Sequence, residues 1–243
     1  PGGGRRGEVI VARPAGERGH AVHPGLDSWH TFSFGQYHDP KWMGFGPLRV
    51  INEDRLAPGA GFPPHRHANM EIISVVLSGA LAHRDSTGGE GVLRPGEVQW
   101  MSAGHGVEHS EYNGDPGGTT HFLQIWIQPD RVNAEPAYAQ RAFDLPARAG
   151  EWVTLASPDG MEGNIAIRQQ AWLRGCALPA GEEVDVALEA WRLYWLHVAT
   201  GEVVIEGHPL SAGDALAFID EGRTLAIRGV AADSRLLMFD LPR

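Results

Sequence analysis

Pro63-Pro64-His65-Arg66-His67, preceded by Leu56-Ala57-Pro58-Gly59 and followed by Gly79, decides the fold because its frame occurs twice. Leu178-Pro179-Ala180-Gly181, then Ala187, Glu189 and Gly201, repeat the frame at a constant offset of 122 residues. Farther on, Leu93-Arg94-Pro95-Gly96-Glu97-Val98 resembles Leu210-Ser211-Ala212-Gly213-Asp214-Ala215 at an offset of 117, so a loop near residues 87–91 is shorter in the second copy. A repeat of this length means two copies of one folding unit. Turn glycines and apolar positions recur, whereas His65 and His67 become Ala187 and Glu189, and the region of His109 and Glu111 becomes Leu225-Ala226-Ile227. The second copy keeps the scaffold and loses the histidines, so the fold does not need them.

Working outward, the 32 glycines and 17 prolines are spread along the 243 residues and punctuate short β-rich runs such as 72–77, 123–127 and 202–205. That pattern predicts an all-β sandwich or barrel. One short helix is expected over residues 135–141, between the halves. Residues 1–7, rich in glycine, read as a flexible tail.

A formal charge of −10 argues against a nucleic-acid footprint, which needs clustered Lys and Arg. The single cysteine, Cys176, excludes an internal disulfide and fits a reducing cytoplasm. No apolar run reaches the ~18 residues of a membrane span. The carboxylates of Glu182-Glu183-Val184-Asp185 read as a solvated face.

In an extended strand alternate side chains point the same way, so His65 and His67 share a face roughly 7 Å apart at Cα, as do His109 and Glu111. Two such strands facing each other would offer three imidazoles and a carboxylate to one metal, a set that suits a first-row ion such as iron. Glu71, four residues beyond His67, falls on the same face by period-two counting and competes with Glu111 for the carboxylate role.

Gly59, His65, His67, Glu71 and Gly79, with Gly96 to His109 and Asn113, resemble the two-part motif of the cupin superfamily. Three departures are visible: the interval from Glu71 to Gly79 is one residue longer than the usual pattern, His105-Gly106 is inserted, and Ser102 replaces the usual proline. His30-Thr31-Phe32-Ser33-Phe34, Pro63-Pro64-His65-Arg66-His67, Met70-Glu71, His83-Arg84-Asp85-Ser86, Gln99-Trp100-Met101-Ser102-Ala103-Gly104 and Gly106-Val107-Glu108-His109-Ser110-Glu111 narrow this to the pirin family of bicupins. Trp29 to Phe34, Tyr112-Asn113 and the closing Phe239-Asp240-Leu241-Pro242 are most similar to the bacterial pirin-like quercetinases.

The resemblance implies two jelly-roll cupin barrels: a metal-binding one over residues 8–134 and one without ligands over 135–243. It implies a metal held by His65, His67, His109 and Glu111, usually iron(II), with manganese, cobalt, nickel, copper and zinc as alternatives. Glu111 and Glu71 are the candidate proton acceptors, and Glu71 is also a candidate to orient an imidazole. The implied activity is flavonol cleavage by dioxygen with release of carbon monoxide, in a monomer. An iron-dependent redox sensor acting through a protein partner and an oxygenase for another small aromatic are the alternative readings.

Among the remaining residues, Trp29, Phe32, Phe34, Trp42, Phe45, Trp100 and Trp126 are candidate walls of an aromatic pocket, with Phe45 and Trp100 singled out. His83 is read as pocket-lining or structural, and His105 as a candidate substrate contact. His30 is read as structural, and His20, His23, His38, His121, His197 and His208 as surface or packed residues.

Overall fold

The computed structural model describes residues 9–243, and the tail expected at residues 1–7 lies outside them. The described chain begins with β1 (Val9–Arg13), β2 (Gly19–His23), β3 (Leu26–His30), β4 (Leu48–Leu56), β5 (Gly61–His67), β6 (Glu71–Ser78) and β7 (Leu81–Asp85). It continues through β8 (Glu90–Leu93), β9 (Glu97–Ser102), β10 (Val107–Asn113), β11 (Thr120–Ile127) and β12 (Ala137–Ala142). All of these except β1 form two antiparallel sheets, one in the order β12-β9-β6-β11-β4-β3-β2 and the other β5-β10-β7-β8. Each inner face buries one set of alternate side chains, the jelly-roll solution to covering an apolar sheet.

The second half contributes β13 (Val153–Ser157), β14 (Ile165–Ala166), β15 (Trp172–Leu178), β16 (Glu183–Ala187), β17 (Leu193–Thr200), β18 (Glu202–Ile205), β19 (His208–Ser211), β20 (Ala215–Ile219), β21 (Thr224–Gly229) and β22 (Ser234–Leu241). Here β1-β20-β17-β22-β15 run side by side, and β16-β21-β18-β19 form the smaller sheet. The architecture is the expected all-β bicupin.

The contacts divide the chain into two compact units: residues 18–144 with 155–170, and residues up to Glu17 with 145–154 and 171–243. The division differs from a single cut after residue 134, because backbone pairing assigns segments irrespective of their order. β1 pairs with β20, Val9 opposite Ile219 through Arg13 opposite Ala215. The expected helix at 135–141 is instead strand β12, with Tyr138 opposite Met101 and Gln140 opposite Gln99. An isolated helix of seven residues has little stability of its own, and the free edge of β9 offers these amides a full ladder of partners.

The repeat is visible down to single hydrogen bonds. Gly79 and Gly201 both adopt positive φ, 81° and 79°. A Cβ at Gly79 would stand 2.8 Å from Thr120 Cα, and one at Gly201 2.6 Å from Ser234 Cα. In the first barrel Thr120 Oγ1 donates to Ala80 O at 2.7 Å and accepts from Ala80 N at 3.1 Å. In the second, Ser234 Oγ donates to Glu202 O at 2.8 Å and accepts from Glu202 N at 3.1 Å. Gly59, also at positive φ, has nothing within 4 Å of its would-be Cβ.

The interiors of the two barrels differ. The second is filled by one apolar cluster that includes Val184, Val186, Leu196, Leu216, Leu225, Ile227 and Met238. In the first, two small apolar clusters lie apart, one around Leu56, Val76, Leu81, Leu93 and Phe122 and the other around Ile72, Met101, Ala103 and Val107. A polar row runs across the inner face of the larger sheet: Asn52 opposite Gln124, Gln124 opposite Ser74, Ser74 opposite Gln99. At the repeat-related positions the second barrel has Arg174 opposite Met238, Met238 opposite Leu196 and Leu196 opposite Leu216.

Gly79→Ala is expected to cost about 3 kcal/mol, since strain and a backbone clash add, whereas Gly59→Ala should cost about 1 kcal/mol from left-handed strain alone. Denaturant unfolding of both variants checks the difference, and equal costs would show that the close approach to Thr120 is unimportant.

Candidate metal centre

Strand β5 supplies His65 and His67, and β10 supplies His109 and Glu111. The two strands pair antiparallel with His109 directly opposite His65 and Val107 opposite His67. A bulge between His109 and Glu111 shifts the register against β5, while the pairing of β10 with β7 stays regular. Bulges of this kind re-aim side chains at sites. His109 and Glu111 are buried on the inner face, and Glu108 and Tyr112 are exposed on the outer one.

The three imidazoles converge: one ring nitrogen from each of His65, His67 and His109 lies within 4.8 Å of the others. His67 Nε2 and His109 Nε2 are 3.0 Å apart. Two nitrogens bound at right angles to one ion, each about 2.1 Å from it, stand about 3 Å apart. His65 Nδ1 lies 2.8 Å from Pro63 O, so it carries the proton and donates, leaving Nε2 bare for a metal. Burial and the neighbouring imidazoles hold His67 down to about 4 and His109 to about 3. Both rings are therefore neutral near pH 7, as ligands must be. The residues present fit a divalent cation.

Glu111 lines the same cavity as His65 and His67. Gln124 Nε2 donates to its Oε2 at 2.9 Å, while Oε1 is buried without a partner among the described residues. Burial, reinforced by the nearby Asp54 and opposed by the Gln124 bond, pushes the carboxyl up to about 7.

Glu71 stands elsewhere. Period-two counting breaks between His67 and Glu71, because the chain leaves the small sheet through a turn with Asn69 at φ 51° and enters β6 of the large one. In β6 it is Ile72 that faces the interior beside Met101 and Val107. Glu71 points the other way, where its Oε1 accepts the Arg168 amide at 2.6 Å, and Arg168 in turn reaches Ser102 Oγ at 2.9 Å.

The cavity beside the histidines has a volume of about 880 Å³. Of the aromatic candidates, Phe34 and Trp126 line it, together with Phe62 and Tyr37, which no sequence motif singles out. Phe45 and Trp100 do not belong to its lining. His20, His23 and His30, read as surface, packed or structural, line it too, as do Ser28, Asn52 and Asp54. The available signal was a polar residue interrupting an apolar strand, as at Asn52, Asp54 and Gln124. His83 is structural, stacked on Tyr138 and 2.8 Å from its hydroxyl. His105 is exposed beside Glu135 at 3.3 Å, outside this cavity.

Comparison with known proteins follows the same lines. The Pirin family model matches residues 11–127, and the model described as quercetinase C-terminal cupin domain matches residues 154–241. Over 234 residues the chain is 44% identical to quercetin 2,3-dioxygenase of Escherichia coli (strain K12), covering 96% of this chain and 99% of that one. The chain belongs to the pirin family. This pirin is also 42% identical to the pirin-like protein of Caulobacter vibrioides, with 88% of this chain and 92% of that one covered. Its fold matches the bacterial pirin YhhW of Escherichia coli in complex with nickel(II) with a TM-score of 0.89 at 42% identity, over 96% of this chain and 99% of that one.

Behind the cavity wall, Glu53 is clamped by Arg18 and His121, both at 2.8 Å. Despite its burial, the bonds from His121 and Arg18 hold this carboxylate far below its usual range. A depressed folded pKa means stability that is present above the unfolded value of about 4.3 and lost as the pH falls below it. The wild-type protein should therefore lose stability between pH 5 and 3 more steeply than Glu53→Gln, as measured by melting temperature against pH.

Proposed function

We propose that this pirin is a metal-dependent quercetin 2,3-dioxygenase, which opens the heterocyclic ring of a flavonol with dioxygen and releases carbon monoxide. The observation that carries the reading is the convergence of His65, His67 and His109 on one another, with His65 and His67 lining a cavity large enough for a three-ring flavonol. The identity to the Escherichia coli quercetin 2,3-dioxygenase supports it. We assign iron(II) as the native metal and Glu111, through its unpartnered Oε1, as the fourth ligand.

Bound at these residues, a divalent metal lowers the pKa of a coordinated hydroxyl and supplies the one-electron path that dioxygen needs. The chain does the rest. Pro63 and the β5–β10 ladder hold the imidazoles in place, and Gln124 fixes the orientation of Glu111. Trp126, Phe34 and Phe62 offer apolar faces to planar rings and keep water from the reacting centre. Glu71, on the far side of β6, takes no part in this chemistry.

Aerobic incubation with quercetin, followed by loss of the flavonol absorbance and by carbon monoxide release, tests the reading on protein loaded in turn with iron, manganese, cobalt, nickel or copper. Absence of turnover with every metal would reject it. His65→Ala should abolish metal binding and turnover together, and Glu111→Gln should lower both by about 10- to 100-fold. Folded Glu71→Gln should keep its metal content, and loss of metal from that variant would reverse the carboxylate assignment.

A further inference from the structure

The cavity wall built by β3 and β4 holds a second set of polar groups. Ser28 stands opposite Asp54 and His30 opposite Asn52 in the strand register. All four line the cavity, and all are more than nine-tenths buried, at 4%, 3%, 6% and 3% exposure. Ser28 Oγ donates its hydrogen to Asp54 Oδ1, so at its 2.9 Å contact with His30 it accepts from Nε2–H. This fixes the imidazole proton on Nε2 and leaves Nδ1 as a bare acceptor. His30 Nδ1 and Asn52 Oδ1 have no hydrogen-bond partner among the described residues.

Each buried acceptor left without a donor lowers the stability of the fold. Gln124 and Ser74 in this row are not needed by the barrel, since the second copy packs Met238 and Leu196 in their places, while at the position of Asn52 it carries Arg174 rather than a neutral amide. Two acceptors kept bare beside apolar ring faces are complementary to a planar ligand that brings hydrogen-bond donors.

We infer that His30 and Asn52 form a hydroxyl-binding subsite, which accepts hydrogen bonds from phenolic O–H groups on the part of the substrate that is not turned to the histidine cluster. The inference rests on the flavonol reading of the same cavity and sharpens its substrate class to polyhydroxylated planar aromatics. Unsubstituted or fully methylated analogues leave both acceptors bare in a desolvated wall, and the site discriminates against them for that reason.

Equilibrium binding under nitrogen, followed by tryptophan fluorescence on metal-loaded protein, tests the subsite with two probes. Quercetin carries hydroxyls on its outer rings, and 3-hydroxyflavone has only the one on its central ring. Wild-type protein should bind quercetin at least about tenfold more tightly, and Asn52→Leu and His30→Phe should each shrink that ratio about tenfold. A wild-type ratio near one overturns the subsite, as does an unchanged ratio in both variants. If the variants fail to fold, quercetin methylated on its outer-ring hydroxyls decides the matter on wild-type protein: binding at least about tenfold weaker supports the subsite, and equal binding overturns it. Turnover in air is scored separately. Selective binding without turnover would reject the dioxygenase reading and keep the subsite, whereas turnover without selectivity would do the reverse.

Discussion

The antiparallel register of β5 against β10 is the constraint on which the site depends. It sets His109 opposite His65, and strand alternation then brings His67 and Glu111 to the same inner face. A slip of one residue in either strand would turn that strand's pair of side chains outward. The register is held from outside the site: β10 is also bound along its other edge by β7, with Glu111 opposite His83 and His109 opposite Asp85. The bulge at Ser110 is thus tolerated on one edge because the other edge is regular, and the candidate ligands are presented by two paired strands.

The second barrel shows what the same scaffold does without chemistry. Ala187 faces Thr224 there as His65 faces His109 here, and the interior is closed by Leu, Ile, Val and Met side chains. In the first barrel Ser74, Asn52, His30 and Glu111 all keep a buried polar atom without a partner among the described residues. Such groups lower stability, and the duplicate proves that the fold has an apolar solution for part of this row. The ligand proposed for this barrel would account for its polar interior. Its cost is local, because each barrel has its own core and its own glycine-locked hairpins.

The Glu71 position shows why period-two reasoning succeeds in one place and fails in another. Within β5 and within β10 the alternation is unbroken, so His65 with His67 and His109 with Glu111 were legible directly. Between His67 and Glu71 the chain changes sheet, and parity does not survive a turn that includes a left-handed residue. The cavity walls were hidden for a related reason. Asn52, Asp54 and Gln124 interrupt apolar strands, but nothing local says whether an interrupted strand faces a ligand, a buried hydrogen bond or solvent. Likewise Ala137 to Ala142 has no local preference strong enough to name its state, and the free edge of β9 decided it.

By itself the sequence determined the all-β class and the duplication, and it marked His65, His67 and His109, which the fold brings together, because turn glycines and alternating side chains act over a few residues and leave their period in the chain. The tertiary structure alone decided which way Glu71 points, which aromatic and polar residues wall the cavity, and which barrel claims β1 and β12. Those outcomes depend on the pairing of strands far apart in the sequence, and backbone hydrogen bonds between them carry no signature in the residues they join.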